Sequence, residues 1–492
     1  MLCHRSSQMA QAQGRLNQYP GCIHSPKLLH RLVYLDPVVV DYLQPVSTPF
    51  WLLICLLINP FCREVSLFAV PDIDVVVVGG GILGLASAYY IKSLHRELSV
   101  TVIERGRDVG QGNTAKSVGG YRQGIFTSYV NRVLAETTIQ HLREAEASGE
   151  TSLNMREVGY LILLDENRLK NVKTVVETFL KEGKAVLLSP ETLSKTLHMR
   201  TDFTGDEEAM LMGLSNIKAG LFAPRCGFLD VEKVVNLYKK RCIEAGVELI
   251  LGKRVEKLLL EPENPLGIPR EPRAWQKVRV AGVVVDGEVI RAGKVVVATG
   301  SWTPQLLDPL GVDCFVKAKK RQLFVVSAEG ELHKLLTNTW DGGRPMPMMF
   351  FPNGLYIVPR ISDKAFWVSL TDEFGRGFGL DDEPEPSYYI DNVYPPLVKY
   401  YPQFLNARAS SMWAGTYSMN YLDGNPLIFR FLNCLVVTGA SGSGVMKSDA
   451  IGRIAEAALF GKEYAILHGG VKFEVSRLGV ENRRVDKEYF IL

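Results

Sequence analysis

The residues best placed to do chemistry form a glycine cluster directly after a run of valines. In Asp74-Val-Val-Val-Val-Gly-Gly-Gly-Ile-Leu-Gly-Leu, the residues Gly79, Gly81 and Gly84 have the spacing G-x-G-x-x-G. In such a segment the first glycine makes a tight turn and the second lets a pyrophosphate approach the backbone. The third allows a helix to pack closely on a strand. The β-branched run 75–78 predicts a buried parallel strand, and residues 82–95 predict the helix whose first N–H groups face a phosphate. Residues 99–103 predict a second strand ending at Glu104, 20 residues after Gly84. An acidic side chain at that offset accepts hydrogen bonds from an adenosine ribose. Strand, glycines, helix, strand and acid together predict a dinucleotide site.

The segment after Glu104 discriminates between cofactors. A nicotinamide enzyme would continue with alternating strands and helices, whereas residues 110–123 are polar and glycine-rich (Gly110-Gln-Gly-Asn-Thr-Ala-Lys-Ser-Val-Gly-Gly-Tyr-Arg-Gln). Such a backbone suits an extended cofactor lying beside it. Residues 246–251, with Val255 after them, predict a strand and its continuation. Val295-Val-Val-Ala-Thr-Gly-Ser-Trp and Leu435-Val-Val-Thr-Gly-Ala-Ser-Gly-Ser-Gly-Val-Met predict two apolar strands closed by glycine, the latter followed by a helix over 450–460. Further strands are predicted at 158–164, 355–359 and 365–370, and helices at 170–182 and 231–245. The span 261–273 contains four prolines and one glycine and predicts a surface excursion.

Taken together, these pieces resemble the FAD-dependent D-amino-acid oxidase and sarcosine oxidase superfamily over residues 72–462. Within it they are most similar to sarcosine oxidase and archaeal proline dehydrogenase β subunits, and to an FAD-dependent oxidoreductase-domain protein that assists complex I assembly. The resemblance implies an α/β fold: a Rossmann-like FAD-binding domain with an interleaved antiparallel-sheet substrate domain roofing the flavin. The FAD-binding domain is expected to be discontinuous, over 72–155, 220–260, 280–315 and 410–465. The substrate domain takes 156–219 and 316–409, and a C-terminal tail takes 466–492.

By the same resemblance Gly79, Gly81, Ile82, Leu83 and Gly84 hold the FAD pyrophosphate, and Glu104 and Arg105 the ribose end. Asn113, Thr114, Ser117, Gly119 and Gly120 run beside the cofactor, with Val255 near the adenine. Thr299, Gly300 and Trp302 line the dinucleotide, while Gly442, Ser443, Gly444, Val445 and Met446 meet the pyrimidine end of the flavin. Neither the histidine nor the cysteine through which some relatives bind flavin covalently is present in Asn113-Thr-Ala-Lys-Ser or Trp413-Ala-Gly-Thr-Tyr417, so FAD is expected to be non-covalent. Tyr417 stands where amino-acid oxidases place a carboxylate-clamping arginine. Met446 stands where monomeric sarcosine oxidase has a lysine, which argues against efficient reaction with O₂.

A pocket for an amine or amino acid needs a cation for the carboxylate and aromatic walls that exclude water. Arg122 and Arg360 are the candidate cations, and Tyr356, Trp413 and Tyr417 the candidate walls. The expected catalytic set is therefore Arg122, Arg360, Tyr356, Tyr417 and Met446. The run Lys317, Lys319, Lys320 and Arg321 is expected to be a solvated edge. The histidines at 95, 141, 198, 333 and 468 fall outside every motif, and no metal cluster or nucleophile elbow is present in the sequence. The expected reaction is hydride transfer from the α-carbon of an amino acid, N-methyl amine or cyclic amine to flavin N5. Two alternatives are an FAD-binding assembly factor and an electron-transfer subunit of a hetero-oligomeric dehydrogenase, with a quinone or partner protein as acceptor.

Composition agrees with an enzyme of this kind. The chain has 492 residues, 47% hydrophobic and 22% charged, which fits two or three globular domains. Disordered, collagen-like and disulfide-stapled classes are excluded. With 56 Lys+Arg against 53 Asp+Glu the net charge is +3, too even for nucleic acid as a main partner. Cys226, Cys242, Cys314 and Cys434 are widely spaced, with no C-x-x-C pair, and are expected to be buried and reduced. The first 71 residues differ: they hold four of the eight cysteines and only three acids. Their most apolar stretch, 50–58, is about half the ~20 residues of a spanning helix. This extension is expected to be disordered, a short membrane anchor, or the product of a start assigned too far upstream. A prokaryotic source would place the protein in the cytoplasm.

Overall fold

Four consecutive valines are stable as a strand only where both faces are covered, and the chain meets that condition. The computed structural model describes residues 72–372, 375–481, 483–486 and 488. The expectations for residues 1–71 lie outside the described residues. The strand Ile73–Val78 runs parallel to Val100–Glu104 on one side and to Glu288–Val297 on the other. Val75, Val76 and Val77 are wholly buried. Glu248–Leu251 extends the sheet in parallel beyond Val100–Glu104, and Cys434–Thr438 does so beyond Glu288–Val297, with Leu427–Phe431 antiparallel at the edge.

One long strand serves two purposes. Residues 292–297 of Glu288–Val297 pair with the central strand, while residues 288–291 form a hairpin with Val278–Val285. That strand pairs in turn with Val255–Pro262. Val255 therefore does not continue the strand before it: Gly252, at φ +70°, turns the chain out of the parallel sheet into this antiparallel layer.

The helices start and stop where their caps dictate. Ser128 accepts a hydrogen bond from Asn131 N at the start of Tyr129–Ala147. Asp230 accepts from Glu232 N and Lys233 N at the start of Val231–Ala245, and Gly246 ends that helix in the left-handed region. The helix Ile82–Leu94 carries no side-chain cap at Gly81; Ile82 N donates to the Thr114 hydroxyl, and the N–H groups after it in the first turn are open to an anion. Ser448–Leu459 packs closely against it, with Gly452 set against the backbone of Ala86.

A second sheet takes the order Ala409–Asn420, Val316–Ser327, Ala365–Leu370, Leu355–Arg360, Met348–Phe350, Tyr160–Leu164, Ala219–Ala223, Val186–Leu188. It is antiparallel throughout except between Met348–Phe350 and Tyr160–Leu164, which run parallel. Val316–Ser327 lies inside this sheet, paired along most of its length with Ala409–Asn420. Cys226, Cys242, Cys314 and Cys434 are all buried free thiols. Among the described residues no helix is long and apolar enough to cross a membrane.

The Gly452–Ala86 contact yields a stability test. Alanine gains about 1 kcal/mol over glycine in helix propensity, but a Cβ at 452 would sit 2.7 Å from the Ala86 carbonyl. Overpacking against backbone costs about 1–3 kcal/mol, so G452A is expected to lower the urea midpoint despite the better helix former.

Candidate active site

At the carboxyl ends of the parallel strands lies a cleft with a cavity of about 280 Å³, the place where open parallel sheets bind ligands. Gly79 has φ +103°, and a Cβ there would lie 2.7 Å from Ala298 O. A Cβ on Gly84 would overlap the Gly79 carbonyl oxygen. Gly84 therefore does not face the cleft; it lets the helix sit on the turn. The Glu104 carboxylate is aimed by two backbone donors, Gly80 N at 2.6 Å and Gly106 N at 2.7 Å. A carboxylate has about four acceptor sites, so capacity remains for a ligand hydroxyl. The Arg105 guanidinium stacks 3.9 Å over the Trp302 ring.

The polar segment after residue 110 is stapled to the second sheet. Asn113 Oδ1 accepts from Thr416 N at 2.8 Å, and Asn113 Nδ2 donates to Thr416 Oγ1 at 3.1 Å. Trp413 Nε1 donates to Lys116 O at 3.1 Å. At the helix start, Ile82 N donates to Thr114 Oγ1 at 3.2 Å. Gln322 also lines the cleft. Its Oε1 accepts from Glu385 N at 2.7 Å, while its buried Nε2 has no partner among the described residues. A helix start capped only through the Thr114 hydroxyl, a side-chain-free turn, an aimed carboxylate and an orphaned amide donor fit an extended dinucleotide such as FAD.

Most of the predicted cofactor residues line this cleft: Gly79, Gly81, Ile82, Leu83, Glu104, Arg105, Asn113, Thr114, Ser117, Val255, Thr299, Gly300, Trp302, Gly442, Gly444 and Val445. Gly119 does not; at φ +71° it packs against the Leu229 carbonyl. Gly120, Ser443 and Met446 line a second chamber instead, of about 70 Å³. The chamber shares Ser117, Val118, Arg321, Tyr356, Tyr417, Ser441 and Gly442 with the cleft.

Of the expected catalytic set, Arg122, Tyr356, Tyr417 and Met446 meet in this chamber. Arg122 is buried, with its guanidinium 4.0 Å from the centre of the Phe126 ring. Burial raises the Tyr356 and Tyr417 phenols above their ordinary range. Arg360 does not join them. Its guanidinium sits between the Trp367 and Phe228 rings, at 4.3 and 4.6 Å, and pairs with Asp363 at 3.1 Å. It shares a strand face with Tyr356 but lies four residues further on, roughly 13 Å at the strand rise.

The basic run is a solvated edge only at Lys317, which is exposed. Lys319 and Lys320 are buried, and Arg321 lines both cavities. Lys320 Nζ pairs with Asp381 at 2.6 Å and Glu385 at 2.7 Å, and Arg321 with Asp372 at 3.2 Å. An interior strand cannot carry exposed cations on both faces. Here Asp372, Asp381 and Glu385 neutralise them, and the acidic stretch that holds these residues was the available sequence signal.

Two more charged groups escaped the sequence reading. Lys447, next to Met446, is wholly buried, and its Nζ donates to Asn131 Oδ1 at 2.6 Å and Ser443 Oγ at 2.5 Å. Burial, with Arg122 nearby, pushes its ammonium down to about 7, against the pull of Glu488. Glu488 itself lies in the C-terminal tail and lines the chamber. No motif marks it.

The fold and the site define a flavin-dependent oxidoreductase: the chain belongs to the DAO family of FAD dependent oxidoreductases, which matches residues 74–458. It is 25% identical over 417 residues to the Bos taurus FAD-dependent oxidoreductase domain-containing protein 1, covering 79% of this chain and 81% of that one. To the sarcosine oxidase subunit beta of Arthrobacter sp it is 22% identical over 380 residues, covering 74% and 82% respectively. The crystal structure of L-proline dehydrogenase from P. horikoshii shares the fold, with a TM-score of 0.62 and 22% identity over 80% of this chain and 95% of that one.

Lys447 makes stability depend on pH with a defined sign. A lysine lowered to about 7 in the folded protein and near its ordinary value when unfolded costs stability below pH 7. That cost is relieved as pH rises from 7 through the unfolded value, because the unfolded chain binds more protons in that window. K447M is therefore expected to show its most favourable denaturation midpoint relative to wild type at or below pH 7. The difference should shift toward wild type by pH 10.

Proposed function

We propose that this protein oxidises the CH–NH bond of a small amino acid or of an N-methyl or cyclic amine, with FAD held non-covalently in the cleft. The observation that carries the reading is the convergence of Arg122, Arg321, Tyr356 and Tyr417 on a small chamber opening into the cofactor cleft. FAD, when bound, supplies the acceptor at N5 for a hydride leaving the substrate's α-carbon. The chain's residues do the rest. Arg122 and Arg321 attract the substrate carboxylate, and Tyr356 and Tyr417 wall the chamber against water. The loop 442–446 offers backbone N–H groups toward negative charge at the adjoining end of the cleft. As the hydride leaves, the nitrogen lone pair forms the C=N bond; a nitrogen proton goes to solvent, and water hydrolyses the imine. A substrate bound as the neutral amine needs no general base.

The division into an FAD-binding and a substrate domain is part of this proposal. The strands Ala219–Ala223 and Ala409–Asn420, expected with the FAD segments, are moved to the substrate side because they pair in the second sheet. A second reading, an electron-transfer subunit or an FAD-bound assembly factor, draws support from the similarity to a sarcosine oxidase subunit.

Anaerobic mixing of the FAD-loaded protein with sarcosine, proline, dimethylglycine and D-amino acids discriminates these readings. Bleaching of the oxidised flavin band by one of them is the expected result; FAD binding without reduction by any amine would favour the second reading. Charge-assisted hydrogen bonds contribute about 1.5–3 kcal/mol. R122Q and R321Q are therefore each expected to raise KM roughly tenfold to a hundredfold, while R360Q leaves it unchanged.

A further inference from the structure

Residues 111–118 bridge the cofactor cleft. On one side, Thr114 Oγ1 accepts from Ile82 N at 3.2 Å, at the start of the helix Ile82–Leu94. On the other, Asn113 Oδ1 accepts from Thr416 N at 2.8 Å, and Asn113 Nδ2 donates to Thr416 Oγ1 at 3.1 Å and to Ser301 Oγ at 3.3 Å. Trp413 Nε1 donates to Lys116 O at 3.1 Å, and the Lys116 ammonium pairs with Asp382. Gly112, Asn113, Thr114, Lys116, Ser117 and Val118 line the cleft itself. An extended dinucleotide in the cleft therefore lies against a segment that is bonded on both sides of it.

What holds this segment is polar. None of residues 111–118 is buried; each is half-buried or exposed. Of its side chains only Val118 packs against a hydrophobic cluster, and only in part. The two ends differ. Gly110 and Gly119 are both buried, at φ +73° and +71°. A Cβ at 110 would lie 2.7 Å from Val235 Cγ1, and one at 119 would lie 2.1 Å from Leu229 O. Between them Ala115 N donates to Gly110 O at 3.0 Å and Ser117 N to Thr114 O at 3.2 Å, so the segment holds its own turns. Anchored ends, an internally bonded middle and few buried apolar contacts mark an element that opens locally, at a free energy below that of global unfolding. Glycine at both ends lets the backbone torsions change without a side chain in the way.

We propose that residues 111–118 are a cofactor gate, which swings about Gly110 and Gly119 away from Thr416, Trp413 and Asp382 to admit FAD and closes over it again. The inference rests on FAD occupying the cleft and is independent of the substrate. The contacts with Thr416, Trp413 and Asp382 are the latch. They join protein to protein, so weakening them lowers the barrier to opening alike for a cofactor entering and for one leaving. A residue that only supports the bound cofactor acts otherwise: its loss speeds release and leaves entry unchanged.

FAD exchange in the full-length protein tests this without turnover. Entry into the apoprotein is followed by stopped-flow quenching of flavin fluorescence. Release from the holoprotein is followed by exchange against a large excess of an FAD analogue with a distinct absorption band. Asp382 does not line the cleft, so D382N cuts the latch without touching the cofactor. It is expected to speed entry and release alike, each about twofold to fivefold, as one partly exposed ion pair allows, with Kd changed less than about twofold. T416V removes the hydroxyl to which Asn113 Nδ2 donates and is expected to act in the same sense, by about twofold to tenfold. E383Q, at the exposed acid next to Asp382, is expected to change neither rate. Release sped by D382N with entry unchanged overturns the proposal, and so does no change in either rate. An E383Q effect equal to that of D382N makes it one of general charge and overturns it too, as does a flavin that never exchanges from the native wild type. Should T416V not fold, D382N decides alone.

Discussion

Everything about this site depends on how closely backbone segments approach at Gly79. Its N–H donates to Ile103 O and the carbonyl before it accepts from Ala298 N, each at 2.9 Å, so the turn is held by the strands on both sides. Its positive φ and its contact with Ala298 leave no room for a side chain, and Gly84 sits on its carbonyl from above. With no side chains in the way, the helix Ile82–Leu94 begins directly over the end of the central strand. Its first turn then faces the cleft, and the neighbouring strand delivers Glu104 to the same edge. Small residues here are a consequence of backbone sterics, and the anion-binding geometry is built on them.

The second constraint is the seam between the two sheets. Asn113, Ser301 and Thr416 exchange hydrogen bonds across it, with Ser301 Oγ donating to Thr416 O at 2.7 Å. That seam registers the second sheet, so that Arg321, Tyr356 and Tyr417 reach the mouth of the cofactor cleft. The charges brought there are buried, and an unpaired buried charge is costly. Each is provided for locally: Arg321 by Asp372, Lys320 by Asp381 and Glu385, and Lys447 by Asn131 and Ser443. The site is thus a polar network whose members come from separated parts of the chain, held in place by one another.

Legibility from the sequence divides along the same line. The glycine spacing, the valine strand and the offset of Glu104 depend on contacts within a few residues or on fixed offsets, and each could be read directly. Helices with strong caps were equally legible: 231–245 was expected and Val231–Ala245 is observed. Arg360 misled because period-two alternation specifies a face but not a position along it, and the chamber lies at the other end of its strand. Within the basic run, Lys320 and Arg321 misled because charge reads as exposure unless its partners are known, and those partners arrive more than fifty residues later.

By itself the sequence determined the chemistry of the cofactor cleft, because a turn without side chains, a helix begun by glycine and an acid at fixed spacing are local properties of the chain. Only the tertiary structure decided the substrate chamber. Arg122, Arg321, Asn131 and Glu488 become neighbours of one cavity through sheet register, helix packing and the docking of the tail. No local pattern encodes those long-range contacts.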